Sequence, residues 1–100
     1  MKSSVLSILF CLLILPQAVS ANIITGEKLF FSTALGSNGK SCNSCHAQGQ
    51  GLRNLKEYDS TVLRGLINIC IEDALKGKPL AEDAQELFDM EEYIRKLGKK

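Results

Sequence analysis

Five consecutive residues, Cys42-Asn43-Ser44-Cys45-His46, hold two of the four cysteines of this chain and its single histidine. Cysteines that are three positions apart lie on one face of a helical turn, so both thiols can reach the same bound group. The imidazole follows directly after the second thiol. A fold that contains this string has to leave room beside it for the group that these side chains hold.

The pattern C-x-x-C-H is the attachment signature of a c-type haem. In that chemistry Cys42 and Cys45 each add a thiol across one vinyl group, and His46 binds the iron as its proximal ligand. The histidine ring then donates its other N–H group to a backbone carbonyl, which fixes its tautomer and orientation. We therefore predict one covalently attached haem c as the cofactor.

Three other uses of these residues stay open. A thioredoxin-like redox pair needs a βαβ setting, and this chain is poor in strand patterns. A zinc site could be built from Cys42, Cys45, His46 and Cys70, although the adjacent Cys45 and His46 would crowd one tetrahedron. A disulfide between Cys42 and Cys45 closes too small a loop to stabilise a domain. Haem attachment is favoured over all three.

The N-terminus has the layout of a secretory signal. Lys2 supplies a positive charge, an apolar run of about 11 residues follows from Val5 to Leu15, and Val19-Ser20-Ala21 offers small residues for cleavage. We predict that residues 1–21 are removed, Cys11 with them, and that the protein is exported to a bacterial periplasm. The alternative is a retained anchor, but a membrane-spanning helix needs roughly 20 apolar residues.

Cleavage after Ala21 leaves 79 residues, Asn22 to Lys100, with equal numbers of acidic and basic side chains. This balance gives no reason to expect a nucleic-acid partner. An exported domain of this size buries little apolar surface and usually needs disulfides, a metal or another covalent link. The three remaining cysteines are an odd number, which argues against a simple disulfide framework.

Apolar periodicity predicts helices and no strands, and therefore an all-α domain over residues 22–100. The first helix begins with Thr25 as its N-cap. The second begins at Asp59 or Ser60 and ends at Gly77. The last covers about residues 81–97, with acidic residues near its start and basic residues near its end, as the helix dipole favours.

The mature chain resembles the small class I c-type cytochromes over essentially its whole length. Gly26 and Phe30 match the Gly-x-x-x-aromatic face of that family's first helix, and Met90 and Tyr93 match the apolar-x-x-aromatic pair of its last helix. The resemblance implies a small cytochrome c fold, with three to five short helices around one covalently attached haem. It also implies that the N- and C-terminal helices cross, with Leu97 contributing to the contact.

The distal iron ligand is where the chain departs from this family. The family supplies a methionine sulfur from a loop before the last helix, whereas residues 74–81 contain Lys76 and Lys78 but neither Met nor His. Met90 is the only methionine of the mature chain. The alignment puts it in the helix crossing, so we interpret it as core packing and as the less favoured distal ligand.

Cys70 is the preferred candidate for the distal iron ligand. Its neighbours on one apolar helix face are Leu63, Leu66, Ile67 and Ala74. Periodicity alone favours a small buried side chain at this position. The stretches 68–70, 75–80, 86–87 and 93–94, however, resemble the haem domains of thiosulfate-oxidising cytochromes. That narrower resemblance implies that Cys70 binds the iron. Ligation by Met90, Lys76 or Lys78 and an open site stay as the alternatives.

These residues predict an exported monohaem cytochrome that carries single electrons between redox proteins whose identity the sequence does not give. A stand-alone enzyme is disfavoured, because the chain has a single histidine and no other acid–base constellation that would support catalysis. Two alternatives stay open: a haem subunit or small oxidoreductase of sulfur-compound oxidation with Cys70 at the iron, and a gas-binding haem sensor. Arg53 and Tyr58 could bind haem propionates, although ordinary surface positions are favoured for both.

Overall fold

The computed structural model describes residues 20–99, without the side chain of Lys56. Residues 1–19 of the predicted signal segment, with Cys11 among them, therefore lie outside the described residues. The described part contains four α-helices and no strands. The helices are α1 (Ile23–Phe31), α2 (Cys42–Cys45), α3 (Ser60–Ile69) and α4 (Gln85–Gly98). Two 3-10 turns at Ala47–Gly49 and Arg53–Glu57, and a π-helical turn at Cys70–Ala74, complete it. This part of the chain is all-α, as predicted.

Side-chain caps determine where two of the helices begin. Asp59 accepts a hydrogen bond from the Val62 N–H at 2.9 Å, so the predicted start of α3 is confirmed. The prediction of Thr25 as the cap of α1 is wrong. Asn22 lies three residues earlier, and its side-chain oxygen accepts from the N–H groups of Ile24 and Thr25, which satisfies the first free amides of the helix.

Helix α4 begins at Gln85, four residues later than the predicted start near residue 81. The side chain of Asn68 bonds both backbone groups of Leu80 at 2.8 Å, which fixes the chain as it leaves this region. A single turn follows, closed by the Ala84 N–H and the Ala81 carbonyl. Because of this turn, the regular helical hydrogen bonds start only after residue 84.

The first and last helices cross, as predicted. Gly26 lies directly against the backbone of Asp89, and a Cβ atom at this position would overlap the Asp89 carbonyl. Phe30 packs edge-to-face on Tyr93, with ring centroids 5.3 Å apart. Met90 is completely buried beside them. The missing side chain of Gly26 therefore lets the two backbones approach closely enough to close this core.

Helix α3 and the π-helical turn place one buried residue at every fourth position, namely Leu63, Ile67, Ile71 and Leu75. A spacing of four drifts around the axis of an α-helix, which has 3.6 residues per turn. The wider π-helical turn counteracts this drift over residues 70–74. The apolar stripe therefore keeps facing the same core along the whole segment.

A glycine-rich loop holds the end of the π-helical turn. The Ser37 N–H donates to the Leu75 carbonyl at 2.9 Å, and the Asn38 amide donates to the Ala74 carbonyl at 2.9 Å. Gly77 packs so closely on this loop that a Cβ atom there would overlap the Leu35 carbonyl. These contacts link the segment that precedes α2 to the C-terminal end of the turn that begins at Cys70.

A buried carboxylate joins α4 to α3. Glu91 accepts hydrogen bonds from Arg64 at 3.0 Å and from Arg95 at 2.9 Å. Burial alone raises the pKa of Glu91, but hydrogen bonds from Ser60, Arg95 and Arg64 outweigh it and lower the pKa below its ordinary value of 4.5. The Arg64 guanidinium also lies 4.3 Å from the ring centre of Phe88. This network fixes the N-terminal half of α3.

The substitution Gly26→Ala tests the helix crossing. We expect it to lower the free energy of unfolding by about 1–3 kcal/mol, because the new methyl group overpacks a rigid backbone contact. Gly65→Ala is the matched control, since Gly65 is also helical but has open space around it. That variant should gain about 0.5–1 kcal/mol. Equal effects of the two changes in denaturant unfolding would contradict the crossing.

Replacement of Glu91 by Gln tests the buried network. Because folding lowers the pKa of Glu91, its contribution is complete above the ordinary pKa and disappears as the pH falls through the folded-state value. We expect Glu91→Gln to cost about 1–3 kcal/mol at pH 7. The difference from the wild type should shrink below pH 4.5. Glu92→Gln, at an exposed position, is the control. A difference in the free energy of unfolding between the wild type and Glu91→Gln that does not change with pH would contradict the network.

Candidate functional site

The C-x-x-C-H string folds as the short helix α2. The Ser41 N–H donates to the Ser44 hydroxyl at 2.9 Å, and the two hydroxyls lie 3.3 Å apart, which caps the helix at its start. The His46 N–H closes the turn by donating to the Cys42 carbonyl at 3.0 Å. The turn brings the thiols of residues 42 and 45 and the imidazole to neighbouring positions, as the spacing predicts.

The loop after α2 orients the His46 ring. His46 Nδ1 lies 2.7 Å from the Gln50 carbonyl oxygen, so an Nδ1–H donates to that carbonyl and Nε2 is left for a metal. Gln48, Gly49 and Gly51 adopt left-handed backbone conformations, which bend the loop back over the ring. Gly51 lies beside the ring, and a Cβ atom there would be in ordinary van der Waals contact with Nδ1, at 3.4 Å. The predicted carbonyl partner is therefore that of Gln50.

One cavity of about 580 Å³, counting its open mouth, brings the predicted site residues together. Cys42, Cys45 and His46 line it from α2, and Cys70 lines it from the π-helical turn. The rest of the lining is mainly apolar and comes from Phe30, Leu52, Leu55, Leu63, Leu66, Ile67, Ala74, Leu75 and Ile94, with Ser41. Cys70 follows His46 by 24 residues in the sequence. The fold nevertheless places Cys70 and the C-x-x-C-H string around one apolar space.

Burial and repulsion between negative charges raise the pKa of two cavity thiols, those of Cys42 and Cys70. Burial raises the pKa of Cys42, and the charges of Cys70 and Cys45 raise it further. Partial burial raises the pKa of Cys70, and the negative charges of Asp73 and Cys45 raise it further. The three thiols are free in the described chain. The raised pKa values keep the Cys42 and Cys70 thiols protonated at neutral pH until a bond to carbon or to a metal replaces the proton.

The structure does not bring the other ligand candidates to the cavity. Met90 is completely buried in the α1–α4 crossing and does not line the cavity, so it would have to leave the core to reach a metal there. Lys76 and Lys78 are exposed and also lie outside the lining. Among the candidates for a distal ligand, Cys70 alone lines the same space as His46.

The interpretation of Arg53 and Tyr58 as propionate ligands is not supported by their positions. Both are exposed, and neither lines the cavity. Arg53 borders a separate polar hollow formed with the loop after α2. The Tyr58 carbonyl instead accepts a hydrogen bond from Arg95 at 3.0 Å. Ordinary surface placement, the favoured alternative for both residues, agrees with this.

Sequence reasoning missed the role of Gln50 and the contribution of Phe30, Leu52 and Ile94 to the lining. The role of Gln50 depends on its backbone carbonyl, a group that every residue has, so its side chain carries no signal. The two glycines that flank it are the usable signal, because both positions need left-handed backbone. The lining residues come from separate elements, and only the tertiary packing brings them together.

The donor set and the cavity fit a haem. Two thiols on one helical turn, an oriented imidazole with Nε2 free and an apolar space match what covalent haem attachment needs.

Within residues 20–99, no three His, Cys, Asp or Glu side chains are grouped as a metal site. In the same range, no helix has both the length and the apolar character to cross a membrane. The chain matches no protein-family model, no curated protein and no solved structure.

Proposed function

We propose that this protein is a small monohaem c-type cytochrome of the class I kind. Haem c would be attached to Cys42 and Cys45, with His46 as the proximal iron ligand. The observation that carries the proposal is that both thiols and the oriented imidazole line one apolar cavity. The crossing of the terminal helices adds support.

We propose single-electron transfer between redox proteins as its activity. The bound haem supplies reversible uptake of one electron. The chain fixes the ring of His46 through Gln50, and apolar side chains such as Leu63 and Ile67 restrict water. Cys45 and Cys70 are exposed, which leaves part of the cavity open to solvent and to a docking protein. Export after cleavage at Ala21 would put this exchange in a periplasm.

We propose Cys70 as the distal iron ligand. It lines the cavity that contains His46, whereas Met90 does not. It also begins a π-helical turn, a distortion that is frequent at functional sites. The bonds from Ser37 and Asn38 hold the far end of that turn. These bonds therefore hold in place the turn that carries the Cys70 thiol.

The position of Cys70 favours one second candidate function. A haem subunit or small oxidoreductase of sulfur-compound oxidation would use a cysteine at the iron, as the narrower sequence resemblance implies. Thiosulfate distinguishes the two functions, because the second predicts that it changes the redox state of the haem. A plain electron carrier would stay inert to thiosulfate and respond only to redox partners.

Reductive titration of the exported, haem-loaded protein tests the electron-transfer proposal. We expect one electron per chain, reversible over repeated cycles with the ferricyanide couple, and an unchanged ferrous spectrum under carbon monoxide. The reason is that ligands on both sides of the iron leave no open position. Rapid, stoichiometric carbon monoxide binding would contradict this and favour the gas-binding sensor.

Paired substitutions test the distal ligand. We expect Cys70→Ala to change the ferric spectrum and to raise the reduction potential by about 100 mV or more, within the roughly 0.8 V that axial ligands span. Met90→Leu is the control, because it keeps the volume of the crossing and should leave the spectrum unchanged. Covalent haem should be retained in both variants. A spectrum that responds to Met90→Leu alone would contradict ligation by Cys70.

A further inference from the structure

The start of helix α1 lies on a buried carboxylate. Asp89 is 3% exposed, and its Oδ1 atom accepts a hydrogen bond from the backbone N–H of Asn22 at 2.7 Å. The same oxygen accepts from the Gln85 side-chain amide at 2.9 Å. Both donors are neutral. A carboxylate removed from water is only partly compensated by neutral donors, so a positive charge at either position would stabilise it.

Asn22 is also the first residue after the predicted cleavage site. Ser20 and Ala21 are exposed, and the Ser20 carbonyl accepts a surface hydrogen bond from Gln85 at 2.9 Å. Hydrolysis of the Ala21–Asn22 bond adds the hydroxyl of water to the Ala21 carbonyl carbon and a hydrogen to the Asn22 nitrogen. That amine has an ordinary pKa near 7.7–8.0 and is mostly protonated at neutral pH.

We propose that cleavage by a signal-type endopeptidase converts the neutral contact between Asn22 and Asp89 into an ion pair. The new α-ammonium group forms at the nitrogen that already lies 2.7 Å from Oδ1. Charge-assisted hydrogen bonds are roughly twice as strong as neutral ones. The carboxylate also offsets the cost of a positive charge at the N-terminus of α1, where the helix dipole alone disfavours one.

The ion pair would act on the helix crossing itself. Asp89 supplies the carbonyl against which Gly26 packs, so the same residue holds the start of α1 through its side chain and the middle of α1 through its backbone. Asn22 keeps its capping bonds to Ile24 and Thr25 after cleavage, because these come from its own side chain. Removal of the leader therefore gives up the surface bond from Gln85 to Ser20 but strengthens the buried contact between the start of α1 and α4.

Two N-termini, each combined with two side chains at position 89, test the proposal. The exported, haem-loaded protein beginning at Asn22 is compared with one that carries a single glycine before Asn22, each with Asp89 or with Asp89→Asn. We expect the added glycine to raise the unfolding equilibrium constant about five- to tenfold when Asp89 is present. With Asp89→Asn the same extension should change it less than about twofold, because no charge remains to pair.

Controls make each outcome decisive. Asp83→Asn, at an exposed position before α4, should keep the full effect of the extension. The intact mass identifies the mature terminus, and a protein that begins elsewhere than Asn22 would overturn the proposal. So would an extension effect that is absent, or that is the same with Asp89→Asn. If that variant does not fold, acylation rates decide: the Asn22 amine should react more slowly than the amine of the glycine-extended chain, and equal rates would overturn the ion pair.

Discussion

The apolar cavity beside α2 is the feature on which the rest of this structure depends, because the cysteine and histidine string and the hydrophobic core meet there. Protein cores normally pack as densely as organic crystals, with few voids larger than a water molecule. Here a cavity that is open to solvent on one side lies beside α2 and is lined mostly by apolar side chains. The proposed haem would cover these apolar side chains and would be held by bonds that a small domain can make. Cys42 and Cys45 hold it from one helical turn.

The rest of the architecture keeps the cavity walls in place. The α1–α4 crossing at Gly26 forms a rigid base, and Glu91 ties α3 to that base through Arg64. The loop at residues 35–38 fixes the π-helical turn that begins at Cys70, while Gln50 fixes His46. A backbone carbonyl thus orients the His46 ring, and the loop fixes the end of the turn that carries Cys70, which is the support that a preorganised site needs.

The sequence predicted the parts of this structure that depend on residue type. The family resemblance carried by Gly26 and the aromatic residues at 30 and 93 implied the crossing, and the cysteine and histidine string predicted the helical turn of the site. The start of α4 was missed, because the bonds of Asn68 to Leu80 are tertiary contacts. Gln50 was missed because it acts through a carbonyl. Sequence periodicity put Cys70 on an apolar face, but only the fold brings it to the cavity of His46.

The mass of the exported protein under denaturing conditions tests the central claim most directly. Thioether bonds survive unfolding, so the wild type should carry the mass of one haem on a chain that begins at Asn22. The added mass should be lost when Cys42 and Cys45 are both replaced by Ser, and should remain with Cys70→Ala. A wild-type chain that matures in a host with haem-attachment machinery and carries no added mass would contradict the account.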